Sequence, residues 1–288
     1  MRVANIILAH KNPAQLERLI KTMWYPYFDF YIHVDRKADL EPFRYLETIP
    51  GVYFIEDRMI CNWGGFSLVE TGIKSINQIL ASNIEYDFFN LLSAQDYPIK
   101  PVDEIYSFLA DRLNYSFISF DSSNDTLWWQ EAKLRYQNYH FTDLDFKGKY
   151  FIQKVVNMIM PKRKLPGSLT QLYGGNKSCW WTLSADCARY LSTYFKENPK
   201  IINFFKLTWA ADEFLIPTIL MNSRYRNQLI NENYRYMQWS YGRAHPKILN
   251  KSDYAKIIVS DMLFARKFDE NLDEEIMDML DSTLLVHA

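Results

Sequence analysis

Apolar and polar positions along this chain alternate between two periods. Val3–Ala9 is an apolar run that stops at His10, and Asn12-Pro13 marks a turn into a helix start. From Gln15 to Met23 the residues Leu16, Leu19, Ile20 and Met23 recur at helical spacing. Phe28–Val34 reads as a strand running into Asp35-Arg36-Lys37, and Val52–Ile55 as another. Leu68–Leu80 returns to the helical period, Phe88–Leu92 is a buried strand ending in Ser93-Ala94-Gln95-Asp96, Val102–Leu109 is a helix and Ser116–Phe120 a strand. Strands alternating with helices predict an α/β chain whose sheet is mainly parallel and doubly wound. Residues 122–172 show neither period and read as irregular, with a basic cluster from Pro161 to Gly167 that reads as a solvated loop. Beyond it, Trp180–Leu183 is a predicted strand, Ala185–Phe195 and Asp212–Met221 are predicted helices, and a polar stretch leads to an amphipathic helix at Leu272–Leu285. With no repeat and no linker, one domain is expected over residues 1–288.

Composition narrows the classes. The aromatic fraction is 16%, from 20 Tyr, 19 Phe and 8 Trp. Such rings fill cores, and they also suit the apolar faces of sugars. A net charge of −1 argues against nucleic acid as a partner. Cys61, Cys179 and Cys187 show no metal-ligand spacing, and three is an odd number for a disulfide framework, which favours a reducing compartment. The first apolar run is too short for a signal peptide and no stretch is long enough for a transmembrane segment, so the expectation is a cytoplasmic protein, at most peripheral at the inner face of the membrane.

In open α/β sheets ligands collect beyond the carboxyl ends of strands. Here three strands end in polar residues: Ala9-His10-Lys11, His33-Val34-Asp35-Arg36 and Ser93-Ala94-Gln95-Asp96. There is no Gly-rich phosphate loop. Asp35 can hydrogen-bond a base or ribose, or can simply initiate a turn; His10, Arg36 and Asp96 complete this set of nucleotide candidates.

The segments IILAHKNPAQLERLI, YIHVDRKAD, MICNWGG, FFNLLSAQDYPIKPVDEI, DEFLIPTIL and LFARKFD resemble the core-2/I-branching β-1,6-N-acetylglucosaminyltransferases, a family that also contains the protein xylosyltransferases. The resemblance runs from the N-terminus to about Asp269. It implies a GT-A-like single domain with a Rossmann-like central sheet flanked by helices, a UDP-sugar donor, inversion at the anomeric carbon, and neither cofactor nor catalytic metal. Residues 1–121 would form the nucleotide-binding half and 122–288 the acceptor- and diphosphate-binding half. Ser93-Ala94-Gln95-Asp96 stands where metal-dependent enzymes of that fold carry Asp-x-Asp, and it has one carboxylate; Asp143-Leu144-Asp145 reads as a loop. Without a metal, cations must meet the charge on departing UDP. The resemblance carries Lys267 into that role within Ala265-Arg266-Lys267-Phe268-Asp269, with Arg266 beside it at the nucleotide. An upstream Arg is either Arg243 or Arg235. Glu213 matches the family's base; its plain alternative is an acidic residue favoured by a helix N-terminus.

Flat apolar walls for the sugars are offered by Trp128 with Glu131 and Arg135, and by Trp180 and Trp181, with Asp212 beside the base. Alternation along a strand means that Trp180 and Trp181 cannot share one role. Trp63, before Gly64-Gly65, has no assigned role. The expected function is transfer of a sugar, N-acetylglucosamine first, from a UDP-sugar to an oligosaccharide, polysaccharide or lipid-linked glycan. The alternatives are a nucleotide-sugar hydrolase and a non-catalytic glycan-binding module.

Overall fold

A computed structural model describes residues 1–122, 127–167, 169, 171–239 and 245–286. Arg243, one of the two candidate diphosphate arginines, lies outside the described residues. The chain forms two compact units, each assembled from separate segments: residues 1–56, 85–114 and 234–288 in the first, 57–84 and 115–233 in the second. The path opens in the first unit with β1 (Val3–Ala9), α1 (Pro13–Thr22), β2 (Phe28–Val34) and β3 (Val52–Phe54). It enters the second with α2 (Ser67–Ala81) and returns for β4 (Phe88–Ser93), β5 (Asp96–Pro98) and α3 (Val102–Ala110). The long second visit holds β6 (Ser116–Ile118), β7 (Asp121–Ser122), α4 (Leu127–Gln137), α5 (Lys149–Ile159), β8 (Tyr173–Gly174), β9 (Trp181–Ser184), α6 (Ala185–Glu197), α7 (Pro199–Phe205), α8 (Leu215–Met221) and β10 (Leu229–Ile230). The last segment adds β11 (Arg235–Met237), α9 (Tyr254–Ile258), β12 (Phe264–Arg266) and α10 (Glu275–Val286).

In the first unit β3, β2, β1 and β4 lie side by side in that order, all parallel, with Ile6 opposite both Tyr31 and Leu91. Every residue of β2 and nearly every residue of β1 is buried, Asn5, Asp29 and His33 included, which is why apolar residues dominate both strands instead of alternating with polar ones. The order reverses at β1, so the carboxyl ends of β1 and β4 flank the switch point where doubly wound sheets bind ligands. A polar chain threads this sheet: Arg235 donates to Asn90 Oδ1, Asn90 Nδ2 to Asn5 Oδ1 (2.9 Å), and Asn5 Nδ2 to the Asp29 carbonyl (3.3 Å). A second sheet, β11-β12-β5, sets Arg266 opposite Asp96. The expected α/β class with a mainly parallel sheet and flanking helices is what forms. Among the described residues no helix is long and apolar enough to cross a membrane.

In the second unit β10 pairs parallel with β6, and β6 antiparallel with β9. The stretch that read as irregular contains α4 and α5. Its basic cluster is only partly a solvated loop, because Arg163 is buried. Arg163 donates to the carbonyls of Phe204, Leu207 (2.6 Å) and Asn138 (3.1 Å), and its guanidinium lies 4.0 Å from the Phe204 ring. Burial pulls its pKa down, to about 10. The predicted helix at Asp212–Met221 is a 3-10 turn, Ala211–Glu213, followed by α8. β11 and β12 fall in a stretch that read as loop, each being only three residues long.

One buried side chain ties three segments of the first unit together. Gln15 is fully buried; its Nε2 donates to the carbonyls of Ala94 (2.9 Å) and Phe268 (3.2 Å), and its Oε1 accepts from Glu270 N (2.9 Å). Gln15→Leu removes all three bonds, and of the three backbone groups involved the Phe268 carbonyl still accepts from Gln95 Nε2. It should lower unfolding stability by about 2–3 kcal/mol, measured by urea denaturation; an unchanged midpoint would mean that the tie is replaceable.

Candidate active site

Two groups of functional side chains form, one in each unit. In the first, the chain leaves β1 through His10 and Lys11 and turns at Asn12, which takes a left-handed φ of 53° before Pro13 starts α1. Lys11 Nζ donates to Asp269 Oδ2 (2.5 Å) and Asn12 Nδ2 to Asp269 Oδ1 (3.0 Å). Phe268 N donates to the Gln95 carbonyl (2.8 Å), and Gln95 Nε2 to the Phe268 carbonyl (3.2 Å). Three motifs distant in sequence, HKNPAQ, SAQD and ARKFD, therefore meet at the carboxyl ends of β1 and β4.

This meeting point is crowded with cations. Lys267 has its pKa lowered, first by burial and then by the charges of Arg266 and Lys11. Among the described residues no carboxylate lies within ion-pairing distance of its ammonium. His10 is lowered by burial and by Lys11, with Asp35 opposing, and His245 is lowered by burial and by Lys267. Cations that destabilise one another's charged forms are arranged as an anion would want them.

Not every nucleotide candidate faces outward here. Asp96 is fully buried and accepts from Ser93 N (2.9 Å) and Ser93 Oγ (3.2 Å), while Arg266 Nη1 lies 3.1 Å from its Oδ1. Both were expected at the nucleotide; the structure pairs them with each other, because they stand opposite in β5 and β12. Arg235 is likewise built into the sheet, donating to Asn90 and to the Leu91 carbonyl (3.3 Å). Asp35 accepts from Lys37 N (2.9 Å), closing the turn after β2, and Arg36 is exposed. The polar strand ends marked this region, but Lys11, Asn12, Gln15 and Asp269, which hold it together, were missed as functional supports. The signal was there: all four lie in the family-like segments.

The second group surrounds the 3-10 turn Ala211–Glu213. Ala210 enters it with φ 50°, its N–H donating to the Gly64 carbonyl (2.7 Å). Gly64 has φ +69°, and a Cβ there would lie 2.6 Å from the Trp209 ring, so glycine is required for this approach. Trp63 packs edge-on against Trp209, with centroids 5.0 Å apart, which gives this tryptophan a place. On the far side of the turn, Gly175 N donates to the Glu213 carbonyl (3.0 Å). Asp143, in the loop that offered Asp-x-Asp, accepts from Asn62 Nδ2 (3.0 Å), Ser67 N (2.9 Å) and Ser67 Oγ (2.8 Å), fixing the start of α2. Among the described residues no cluster of three or more His, Cys, Asp or Glu is arranged to hold a metal ion.

Glu213 forms an ion pair with Arg135, and each side chain keeps about a fifth of its surface exposed (23% and 22%). The Arg135 guanidinium lies 5.2 Å from the Trp128 ring centroid. Burial raises the pKa of Glu213, against the opposing charge of Arg135 and the nearby Trp128 indole N–H. Asp212 is pushed up to about 7, first by burial and then by the charge of Glu213, and its Oδ1 is buried without a hydrogen-bond partner among the described residues. Trp129 and Trp181 are core residues, whereas Trp128 and Trp180 keep partly exposed surface. Glu131 is exposed on α4, and Arg135 bonds Glu213.

A profile described as Branch: Core-2/I-Branching enzyme matches residues 3–272. The chain belongs to this family. Core-2/I-Branching enzymes are glycosyltransferases, and the relatives found include a xylosyltransferase of Ciona intestinalis, 25% identical over 99% of this chain and 34% of that protein. Xylosyltransferase 2 of Homo sapiens is 24% identical over 98% of this chain and 33% of its own length. The chain thus spans about a third of the curated relatives it matches. Among solved structures, S. aureus TarS 1–349 in complex with UDP-GlcNAc aligns with 41% of this chain and 34% of that one, at 13% identity and a TM-score of 0.30. A likeness that small supports no statement about this branching-family chain.

The raised Asp212 pKa has a stability consequence. A folded carboxyl that holds its proton to higher pH than the unfolded chain contributes stability at low pH and loses it as pH rises from 3.8 to about 7. Asp212→Asn should therefore match the parent in Tm near the acid end of that window and exceed it above neutrality, by scanning calorimetry across pH. A variant less stable than the parent above neutrality would show that the ionised carboxylate is stabilising.

Proposed function

We propose that this chain is an inverting glycosyltransferase that moves a sugar from a UDP-sugar to a glycan hydroxyl without a catalytic metal. The observation that carries this reading is Glu213: a carboxylate whose proton affinity is raised by burial, oriented by Arg135 in a family of glycosyltransferases. In the reaction the acceptor O–H gives its proton to Glu213 as its oxygen bonds the anomeric carbon, and the bond from that carbon to the β-phosphate oxygen breaks on the opposite side. Displacement in a single step inverts the anomeric centre. Charge developing on UDP is met by Lys267, whose neighbours Arg266 and Lys11 already disfavour an uncompensated cation. Arg243, with Lys267, is the proposed diphosphate arginine, since Arg235 is held by β4.

The metal-free reading is supported by the chemistry of Ser93–Asp96. A divalent cation wants free carboxylate oxygens, and Asp96 directs its own at Ser93 and Arg266. His10, Asp35 and Arg36 are the proposed contacts for the nucleoside, with Trp128 and Trp180 as walls for the sugars. N-acetylglucosamine is the first donor sugar to test, and the names of the relatives add xylose. The acceptor class is an oligosaccharide, polysaccharide or lipid-linked glycan, with action in the cytoplasm.

Glu213→Gln keeps the shape of the side chain and removes its basicity. Turnover should fall about 10²–10⁴-fold while UDP affinity, by calorimetry, stays at the parental value; turnover within a factor of two or so of the parent would move the base elsewhere. Lys267→Ala, in contrast, should weaken UDP binding and slow turnover together. Unchanged values for both would return Lys267 to the role of a surface cation.

A further inference from the structure

α5 in the second unit is amphipathic with its faces exchanged. Its polar residues point at the protein: Gln153 Oε1 accepts from Phe141 N (2.7 Å), and Asn157 accepts from Tyr139 N and donates to the Tyr139 carbonyl (both 2.8 Å). Lys149, one turn earlier on the same side, donates to the carbonyls of Thr142 (2.8 Å) and Leu144 (2.9 Å). The opposite face is apolar. Phe151, Val155, Met158 and Ile159 follow one another at i, i+4, i+7 and i+8, the spacing of a single helical stripe. Phe151 is 73% exposed, Met158 77% and Ile159 67%, and none of the helix's side chains is buried. Exposed Met160 follows the stripe at the end of the helix. Scattered apolar residues on a surface need no explanation, but a contiguous stripe on a helix whose polar face is hydrogen-bonded inward marks a surface that something covers.

Charge indicates what covers it. Residues 144–164 contain six Lys or Arg and one acidic residue, Asp145, in a chain whose net charge is −1. Lys147, Lys154, Lys162 and Lys164 are exposed around the stripe. A second copy of the chain packed symmetrically on this face would bring its own lysines against these, since an isologous interface apposes one patch with itself. An anionic lipid surface accepts both features at once, the apolar stripe entering the acyl boundary and the lysines lying among headgroup phosphates. At 11 residues the helix is about 16 Å long, suited to lying in the plane of the interface. We propose that α5 is a membrane-docking helix that seats this unit on an anionic phospholipid bilayer. The proposal does not depend on the glycosyl-transfer reading.

The test is co-sedimentation of the full chain with large vesicles, either of phosphatidylcholine alone or with phosphatidylglycerol mixed in. The chain should pellet with the anionic vesicles and stay in solution with the neutral ones, and added salt should release it. Phe151→Glu with Met158→Glu should cut the bound fraction at least about tenfold, and so should Lys154→Glu with Lys162→Glu. These side chains are exposed, so circular dichroism should show an unchanged fold. Failure to pellet with either vesicle, or binding indifferent to both pairs, overturns the proposal. So does a dimer in sedimentation velocity that Phe151→Glu dissociates, which would assign the stripe to a second copy.

Discussion

In the first unit the buried amide of Gln15 ties together segments that lie far apart in the sequence. A glutamine buried without partners would cost more than its carbon atoms return, and here its amide is satisfied by three backbone groups, from the segments after β4 and after β12. Asn12 and Lys11, from the preceding turn, fasten the same region through Asp269. The consequence is that Lys267, two residues before Asp269, is held among Lys11, Arg266 and two histidines, where its charge is poorly compensated. A lysine in that state is poised for an anion.

The second unit holds a comparable tension of the opposite sign. Asp212 and Glu213 are adjacent acids in one tight turn, and neither burial nor proximity favours two charges there. Arg135 resolves half of the conflict by pairing with Glu213. That leaves Asp212, which among the described residues has no such counter-charge paired to it, as the member that holds its proton to higher pH than usual, with Glu213 kept in place by its cation. Close backbone approach at Gly64 and Gly174 makes such a turn possible, since a Cβ at Gly174 would lie 2.5 Å from the Glu213 carbonyl oxygen.

How much of this was legible follows from what patterns encode. β1 and β2 were readable to the residue because strands buried on both faces are mostly apolar, Asn5, Asp29 and His33 being the exceptions here. α4 was not, because its two tryptophans and Leu134 serve different surroundings: Trp129 is buried, Trp128 meets Arg135, and Leu134 is 54% exposed. α5 was not read as a helix either, and its apolar residues do not face a core. Arg163 and Gln15 look like surface residues in any hydrophobicity pattern, since nothing local announces the carbonyls they will meet. The carboxylates and Lys267 came from motif resemblance, whereas the pairing of Asp96 with Arg266 needed the register of β5 against β12.

The central claim is the reaction itself, and proton NMR of the chain with a UDP-sugar and a saccharide acceptor tests it most directly. Time-resolved spectra in the presence of EDTA would follow the anomeric proton of the donor into product. Appearance of a glycoside of inverted anomeric configuration, with release of UDP, is the predicted result. A product of retained configuration, or transfer that starts only when a divalent metal is restored, would contradict it.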